Sequence, residues 1–274
     1  NLTVTSLPVG SHNLRIDYLG DGVYRPASVA VTHTVQKVPT VIYLNRSPQQ
    51  SVIGQPVDFT VSVNTSAVGE LSQQVTSGTV QIMLGGAIVT EIDLSQGQTG
   101  TAVLPQQLGD LDIRAVYLGS ERCAGSQPAP AVHAQGKASV EVDLGLEESE
   151  VPYTGMVRFV ATVSGVSPSM LRPETGTVRL LNNGVLIPGV AESIGADGIA
   201  RFSFDAAKLG ARQHHIRAQF SGSPWFNDRD SGTVLVRVLK HTPRLDLAVD
   251  SGGSSYWGKG VQLDADVYIP WIPN

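Results

Sequence analysis

Ile113-Arg114-Ala115-Val116-Tyr117-Leu118-Gly119 is the middle one of three related stretches. Leu14-Arg15-Ile16-Asp17-Tyr18-Leu19-Gly20 precedes it, and Ile216-Arg217-Ala218-Gln219-Phe220-Ser221-Gly222 follows. In each, alternate positions are apolar up to an aromatic residue, and a glycine sits two residues further on. That period of two puts Ile113, Ala115 and Tyr117 on one side of an extended strand. The recurrence comes about every hundred residues, longer than the unit of a solenoid or a propeller blade and matched to a whole small β-domain. The chain therefore reads as an array of similar domains.

Other landmarks keep the same spacing. Ser77-Gly78-Thr79-Val80 returns as Thr175-Gly176-Thr177-Val178. Val57-Asp58-Phe59-Thr60-Val61-Ser62-Val63 returns as Val157-Arg158-Phe159-Val160-Ala161-Thr162-Val163 and again as Val261-Gln262-Leu263-Asp264-Ala265-Asp266-Val267. Strict alternation predicts strands with one buried face, in the last copy Val261, Leu263, Ala265 and Val267. A slip of one residue would turn every apolar side chain outward, so the register is strongly specified. Val57, Phe59, Tyr117, Phe159 and Phe220 are the expected structural core.

Turn chemistry separates the strands. Asn183-Gly184, Gly85-Gly86 and Asp197-Gly198 supply the positive φ angles that tight two-residue turns need. No apolar run with a helical period is long enough for a substantial helix, and Asp205-Ala206-Ala207-Lys208-Leu209 is expected to form one short turn. These signals bound four copies: 1–36, partial and holding the last three strands; 37–136 and 137–239, complete; and 240–274, partial and holding the first strands. A complete copy offers about seven strands in about a hundred residues, which suits an antiparallel two-sheet sandwich with Greek-key connections. The expected fold is all-β: tandem immunoglobulin-like sandwiches strung like beads. Each is large enough to bury a core without cross-links. Both ends fall inside a domain, which reads as an internal window of a longer polypeptide whose remaining strands lie outside it.

The net charge of −5 over 274 residues, with both signs interspersed, gives no footprint for nucleic acid. It provides no polybasic patch for a membrane surface, and no stretch reaches the roughly 18 apolar residues of a membrane span. No direct membrane insertion is expected in this window. The only cysteine, Cys123, occupies the place of Tyr24 and Phe226 in other copies and reads as a small hydrophobe.

The order Gly-Thr-Val, then Leu-Gly-x-x-x-Leu/Ile, then Tyr-x-Gly-Asp/Ser-x-x-Tyr resembles the bacterial immunoglobulin-like repeats of surface and secreted proteins. The best match runs from Val9-Gly10-Ser11-His12-Asn13-Leu14 through Tyr18-Leu19-Gly20-Asp21-Gly22-Val23-Tyr24. The third copy departs, with Phe220 for the tyrosine and Gly222-Ser223-Pro224-Trp225 for the Gly-Asp turn. The resemblance implies an extracellular or cell-surface stalk, adhesin or surface-layer component without enzymatic activity in these modules. Its partners would be other copies of the same protein, neighbouring domains of the same chain, or a host or matrix protein or glycan.

Candidate sites are sparse. The adjacent His214 and His215 face opposite sides of a strand and cannot easily share a metal ion. Asp228-Arg229-Asp230, Asp264-Ala265-Asp266 and the Asp17/Asp21 pair fall short of the six to eight oxygens of a calcium site. Lys37, Lys137 and Lys240 open three successive copies, but the second copy ends without the Asn or Asp that an intramolecular amide would need. No catalytic residue, metal site or cofactor is expected. The sequons at Asn1, Asn45 and Asn64 permit glycosylation only where the source glycosylates Asn. One loop stands out as a ligand-binding candidate: Trp225, Phe226 and Asn227, because an exposed loop tryptophan is a frequent carbohydrate or protein contact. Three roles follow: a structural stalk or filament component, an adhesive module, or an accessory region of a secreted enzyme.

Overall fold

The computed structural model describes residues 3–66, 73–249 and 253–268. The chain divides into two compact units, Asn1–Lys137 and Ala138–Asn274.

The first unit opens with β1 (Gly10–Tyr18) and β2 (Ala27–Val35), which among the described residues pair only with each other. Its sandwich follows as β3 (Thr40–Ser47), β4 (Gln50–Val52), β5 (Val57–Thr65), β6 (Thr79–Leu84), β7 (Ala87–Asp93), β8 (Gly100–Val103), β9 (Gly109–Tyr117) and β10 (Ala131–Gly136). One sheet has the order β3-β5-β8 and the other β4-β10-β9-β6-β7. The chain switches sheets between β3 and β4, β4 and β5, β5 and β6, β7 and β8, and β8 and β9, the Greek-key winding of an immunoglobulin-like sandwich. β4 runs parallel to β10, whereas the other ladders of this sandwich are antiparallel.

The second unit repeats the plan. Its strands are β11 (Val140–Leu146), β12 (Glu150–Pro152), β13 (Met156–Gly165), β14 (Thr177–Asn182), β15 (Val185–Ser193), β16 (Ile199–Asp205), β17 (Gln213–Ser221), β18 (Arg229–Asp230) and β19 (Val234–Leu239). The sheets are β11-β13-β16 and β12-β19-β17-β14-β15, with β18 added alongside β17. A two-stranded ladder of β20 (Arg244–Val249) and β21 (Leu263–Tyr268) closes the unit.

The alternation read from the sequence becomes the core. Val57, Phe59, Tyr117, Phe159 and Phe220 are all buried between facing sheets. In the first sandwich Val57, Phe59 and Tyr117 join Ile42, Val61, Val63, Val80, Ile82, Ile92, Ile113 and Ala115 in one cluster. In the second, the rings of Phe159 and Phe204 stack with centroids 6.2 Å apart. Burying one such side chain stabilises a domain by about 1.5–3 kcal/mol relative to leaving it exposed.

The structure also links two motifs that lie far apart in sequence. Gly78 has φ +95° and Gly176 has φ +137°. A side chain at Gly78 would run into the Tyr117 ring, and one at Gly176 into the Phe220 ring. The glycine of each Gly-Thr-Val is therefore the seat of the aromatic of its Tyr/Phe motif.

Several expectations change. Gly85 and Gly86 both have positive φ, as do Asn183 and Gly184, which fits two-residue hairpins β6–β7 and β14–β15. At Asp197-Gly198 only Gly198 is left-handed. Gly198 N–H donates to the Gly195 carbonyl at 2.9 Å and Gly195 N–H to the Ile199 carbonyl at 3.2 Å, so a four-residue turn, 195–198, lies in the connection that carries the chain to the other sheet. Ala206–Lys208 does form the expected short 3-10 turn, capped by Asp205 Oδ1 at 2.8 Å from Ala207 N–H. A second turn, Leu94–Gln96, is capped in the same way by Asp93.

The partial copies differ most from expectation. The first shows two strands rather than three among the described residues, because the missing strand corresponds to β8, whose ladder partner is a β5-type strand. Leu263 and Val267, expected to be buried, are exposed, as are Val261 and Ala265. β20 and β21 form a correct ladder, but among the described residues no second sheet lies across it.

Candidate functional site

The loop between β17 and β18 carries Trp225, Phe226 and Asn227, and its counterpart after β9 carries Arg122, Cys123 and Ala124. Both loops are built the same way. Tyr117 or Phe220 ends the strand inside the core, and a left-handed glycine, Gly119 (φ +93°) or Gly222 (φ +81°), turns the chain. A serine then holds the loop. Ser120 N–H donates to the Cys123 carbonyl at 3.0 Å, and Ser120 Oγ accepts from Cys123 N–H at 3.2 Å. Ser223 Oγ accepts from Trp225 N–H at 3.3 Å. In the first copy Asp21 takes this part, accepting from Val23 and Tyr24 N–H at 2.8 and 2.7 Å. Hydrogen bonding from the Tyr18 side chain, and then from these two amides, holds the Asp21 carboxyl below its ordinary range.

The backbone of each loop clamps the segment entering its own sandwich. Val38 N–H donates to the Arg122 carbonyl, and Ala124 N–H to the Val38 carbonyl, both at 2.8 Å. One copy later, Ala138 N–H donates to the Trp225 carbonyl and Asn227 N–H to the Ala138 carbonyl, both at 2.9 Å. Each loop thus adds a one-residue parallel bridge, Val38 to Cys123 and Ala138 to Phe226.

This geometry divides the three candidate ligand residues. Phe226 is 2 % exposed, so its side chain is core and cannot meet a ligand; its place in the motif, shared with Cys123, is an inward-facing slot. Trp225 is 49 % exposed and Asn227 is exposed, so only these two remain at the surface. At the matching surface positions the first sandwich has Glu121 and Arg122 where the second has Pro224 and Trp225. A cleft of about 460 Å³ lies beside the first loop, lined by Thr65, Gln73, Thr76, Glu121 and Arg122. In the second sandwich a cleft of about 380 Å³ is lined by Gly165, Met170, Leu171, Arg172 and Asp197, and Trp225 is not among its lining residues.

The remaining candidates resolve into local roles. His214 is buried, its Nε2–H donating to the Gly210 carbonyl at 2.8 Å and its Nδ1 accepting from Asn182 Nδ2 at 3.0 Å, while His215 faces solvent. Asp230 Oδ1 accepts from Gln219 Nε2 at 3.2 Å, and its other oxygen lies 3.5 Å from Arg217. Lys37 is exposed and donates to the Ser120 carbonyl at 2.7 Å, reinforcing the clamp. Among the described residues no group of three or more His, Cys, Asp or Glu side chains is placed to hold a metal ion. Among the same residues no helix is long and apolar enough to cross a membrane.

No family model matches the chain. No curated protein matches it in sequence. Solved structures of similar fold include the fibronectin(III)-like modules of Clostridium thermocellum CbhA (12 % identity, TM-score 0.29, covering 73 % of this chain and 95 % of that one). The Yersinia pseudotuberculosis adhesin InvE matches at 13 % identity and TM-score 0.38, covering 72 % of this chain and 58 % of that one. The Escherichia coli adhesin FdeC matches at 12 % identity and TM-score 0.33, covering 85 % and 74 %. The immunoglobulin-like fold rests on the strand order and register described above.

Proposed function

We propose that the chain is a non-enzymatic structural segment of a bacterial extracellular repeat protein, divided into sandwiches at 37–136 and 137–239 with partial copies at 1–36 and 240–274. One observation carries this reading. Both sandwiches keep the strand plan, the core aromatics and the backbone clamp, while the exposed loop positions differ completely, Glu121-Arg122 against Pro224-Trp225. A frame kept and a surface varied is what a spacer needs, since its output is folded length. Pulling single chains from their ends tests it: a stalk segment gives two discrete unfolding events of similar contour length, one for each sandwich. A single event or a featureless extension contradicts it.

A second reading, adhesion to a host or matrix protein or glycan, is favoured by Trp225, an aromatic side chain half in solvent on a loop whose backbone is fixed at both ends. Trp225→Ala leaves the clamp intact, because the clamp uses only the residue's main chain. Binding to a glycan or matrix-protein array that disappears in this variant would establish the adhesive reading.

A further inference from the structure

The two sandwiches differ most sharply at four inward-facing positions around the short parallel strand. The first has Arg46, Ser51, His133 and Gln135. By ladder register the second has Leu146, Val151, Val236 and Val238 in the same places. Although the second sandwich buries a fully partnered His214 opposite Val236, the aliphatic set shows that the fold does not require polar groups at these four positions. Burying them is costly unless every atom is paired, and they are not all paired. His133 is 0 % exposed and hydrogen-bonds through Nε2 to Ser51 Oγ at 2.8 Å. Its Nδ1, Gln135 Oε1 and Arg46 Nε are buried without a partner.

We propose that this cluster is an acid-sensitive latch: protonation of His133 releases β4 from β10 and opens the edge of the larger sheet of the first sandwich. Neutral His133 shares one hydrogen bond, between Nε2 and Ser51 Oγ, and its Nδ1 is unpaired. A second proton would place a buried cation beside Arg46. Around His133, β3 contributes Arg46 as its only charged group, whereas β4 and β8 contribute none. On β9 the register partner is Leu111, and its neighbours Asp110 and Asp112 lie on the opposite face, Asp112 paired with Arg114. Among the described residues neither His133 nor Arg46 has an ion-pair partner. Burial, and then the Arg46 charge, hold the His133 pKa below its ordinary value, with the Gln49 backbone acting weakly the other way.

An open state with an ordinary imidazole binds the proton first, so β4 docking is intact above about pH 6.5 and weakens as pH falls below it. β4 is three residues long and is held besides by the buried Ile53 that follows it, so its release is a local opening against that anchor. The freed β10 edge would present unpaired N–H and C=O groups for another strand.

Native-state hydrogen exchange, corrected for the intrinsic pH dependence of exchange, tests this on the intact chain. The Ile53 amide, bonded to the Gly136 carbonyl at 2.9 Å, reports the latch. The Tyr153 amide, bonded to the Leu239 carbonyl at 3.0 Å, reports the same place in the second sandwich. Between about pH 7.5 and 5 the Ile53 opening constant is expected to rise by up to about tenfold per pH unit, while that of Tyr153 stays flat. His133→Val alone, or combined with Arg46→Leu, Ser51→Val and Gln135→Val to copy the second sandwich, is expected to abolish the rise. Parallel behaviour of Ile53 and Tyr153 in the unsubstituted chain overturns the proposal, as does a rise that persists in a folded His133→Val variant.

Discussion

Tyr18 and Tyr117 hold the same place in the same motif, yet Tyr18 is 44 % exposed and Tyr117 is 1 % exposed. The pairing of their strands is also the same: Leu14 faces Val31 across β1–β2 as Ile113 faces Ala131 across β9–β10. At the other end of the chain, Leu247 faces Ala265 as Leu144 faces Ala161. Local sequence thus specifies the strand, its register and the face it would bury. Burial itself comes only when a second sheet lies across that face, so the contribution of a given side chain depends on which copy it occupies.

The largest expected effect breaks this comparison if it is wrong. Phe59→Ala or Phe159→Ala, each emptying a buried site, is expected to cost about 3–5 kcal/mol in urea denaturation. Ile16→Ala or Leu245→Ala, on the exposed ladders, is expected to stay within about 0.5 kcal/mol. Equal losses would mean that the ladders are covered in solution.

Glycine sharpens the comparison next. Gly176 and Gly10 have nearly the same backbone, φ +137° and +134°. A Cβ at Gly176 meets the Phe220 ring, with Cζ 2.7 Å away, while one at Gly10 meets nothing within 4 Å. Gly176→Ala is expected to cost about 2–3 kcal/mol, combining backbone strain with overpacking. Gly10→Ala is expected to cost about 1 kcal/mol from strain alone, and thermal melts of the two variants separate the terms.

The smallest effect lies within the core aromatic itself. Tyr117 Oη donates to the Ser77 carbonyl at 2.8 Å, a bond that Phe220 cannot make. Tyr117→Phe is expected to lose about 1 kcal/mol by the same melts, with the fold intact, because the second sandwich already works with phenylalanine.

Most of the fold was legible because it depends on period-two patterns and turn glycines. Phe59, Phe159, Tyr117 and Phe220 could be assigned to a core from alternation alone. Gly78 and Gly176 were visible as repeated residues, but their partners were not, since the ring each one seats arrives from a strand about forty residues later, beyond any local pattern. The Leu94–Gln96 turn was signalled only by Asp93 followed by Ser95, a capping pattern short enough to pass as strand end. Phe226 illustrates the limit at the candidate site. Next to an exposed Trp225 it read as part of a surface loop, and only its equivalence to Cys123 hinted at an inward slot. The polar cluster around His133 was invisible because Arg46, Ser51 and His133 come from three strands that meet only in the folded sandwich.

A stalk built from a repeated frame requires each complete sandwich to be its own cooperative unit. Differential scanning calorimetry of the chain alongside Phe59→Ala and Phe159→Ala tests this most directly. Two separable transitions are expected, with Phe59→Ala lowering the midpoint of one and Phe159→Ala that of the other. A single transition displaced equally by both substitutions would contradict it.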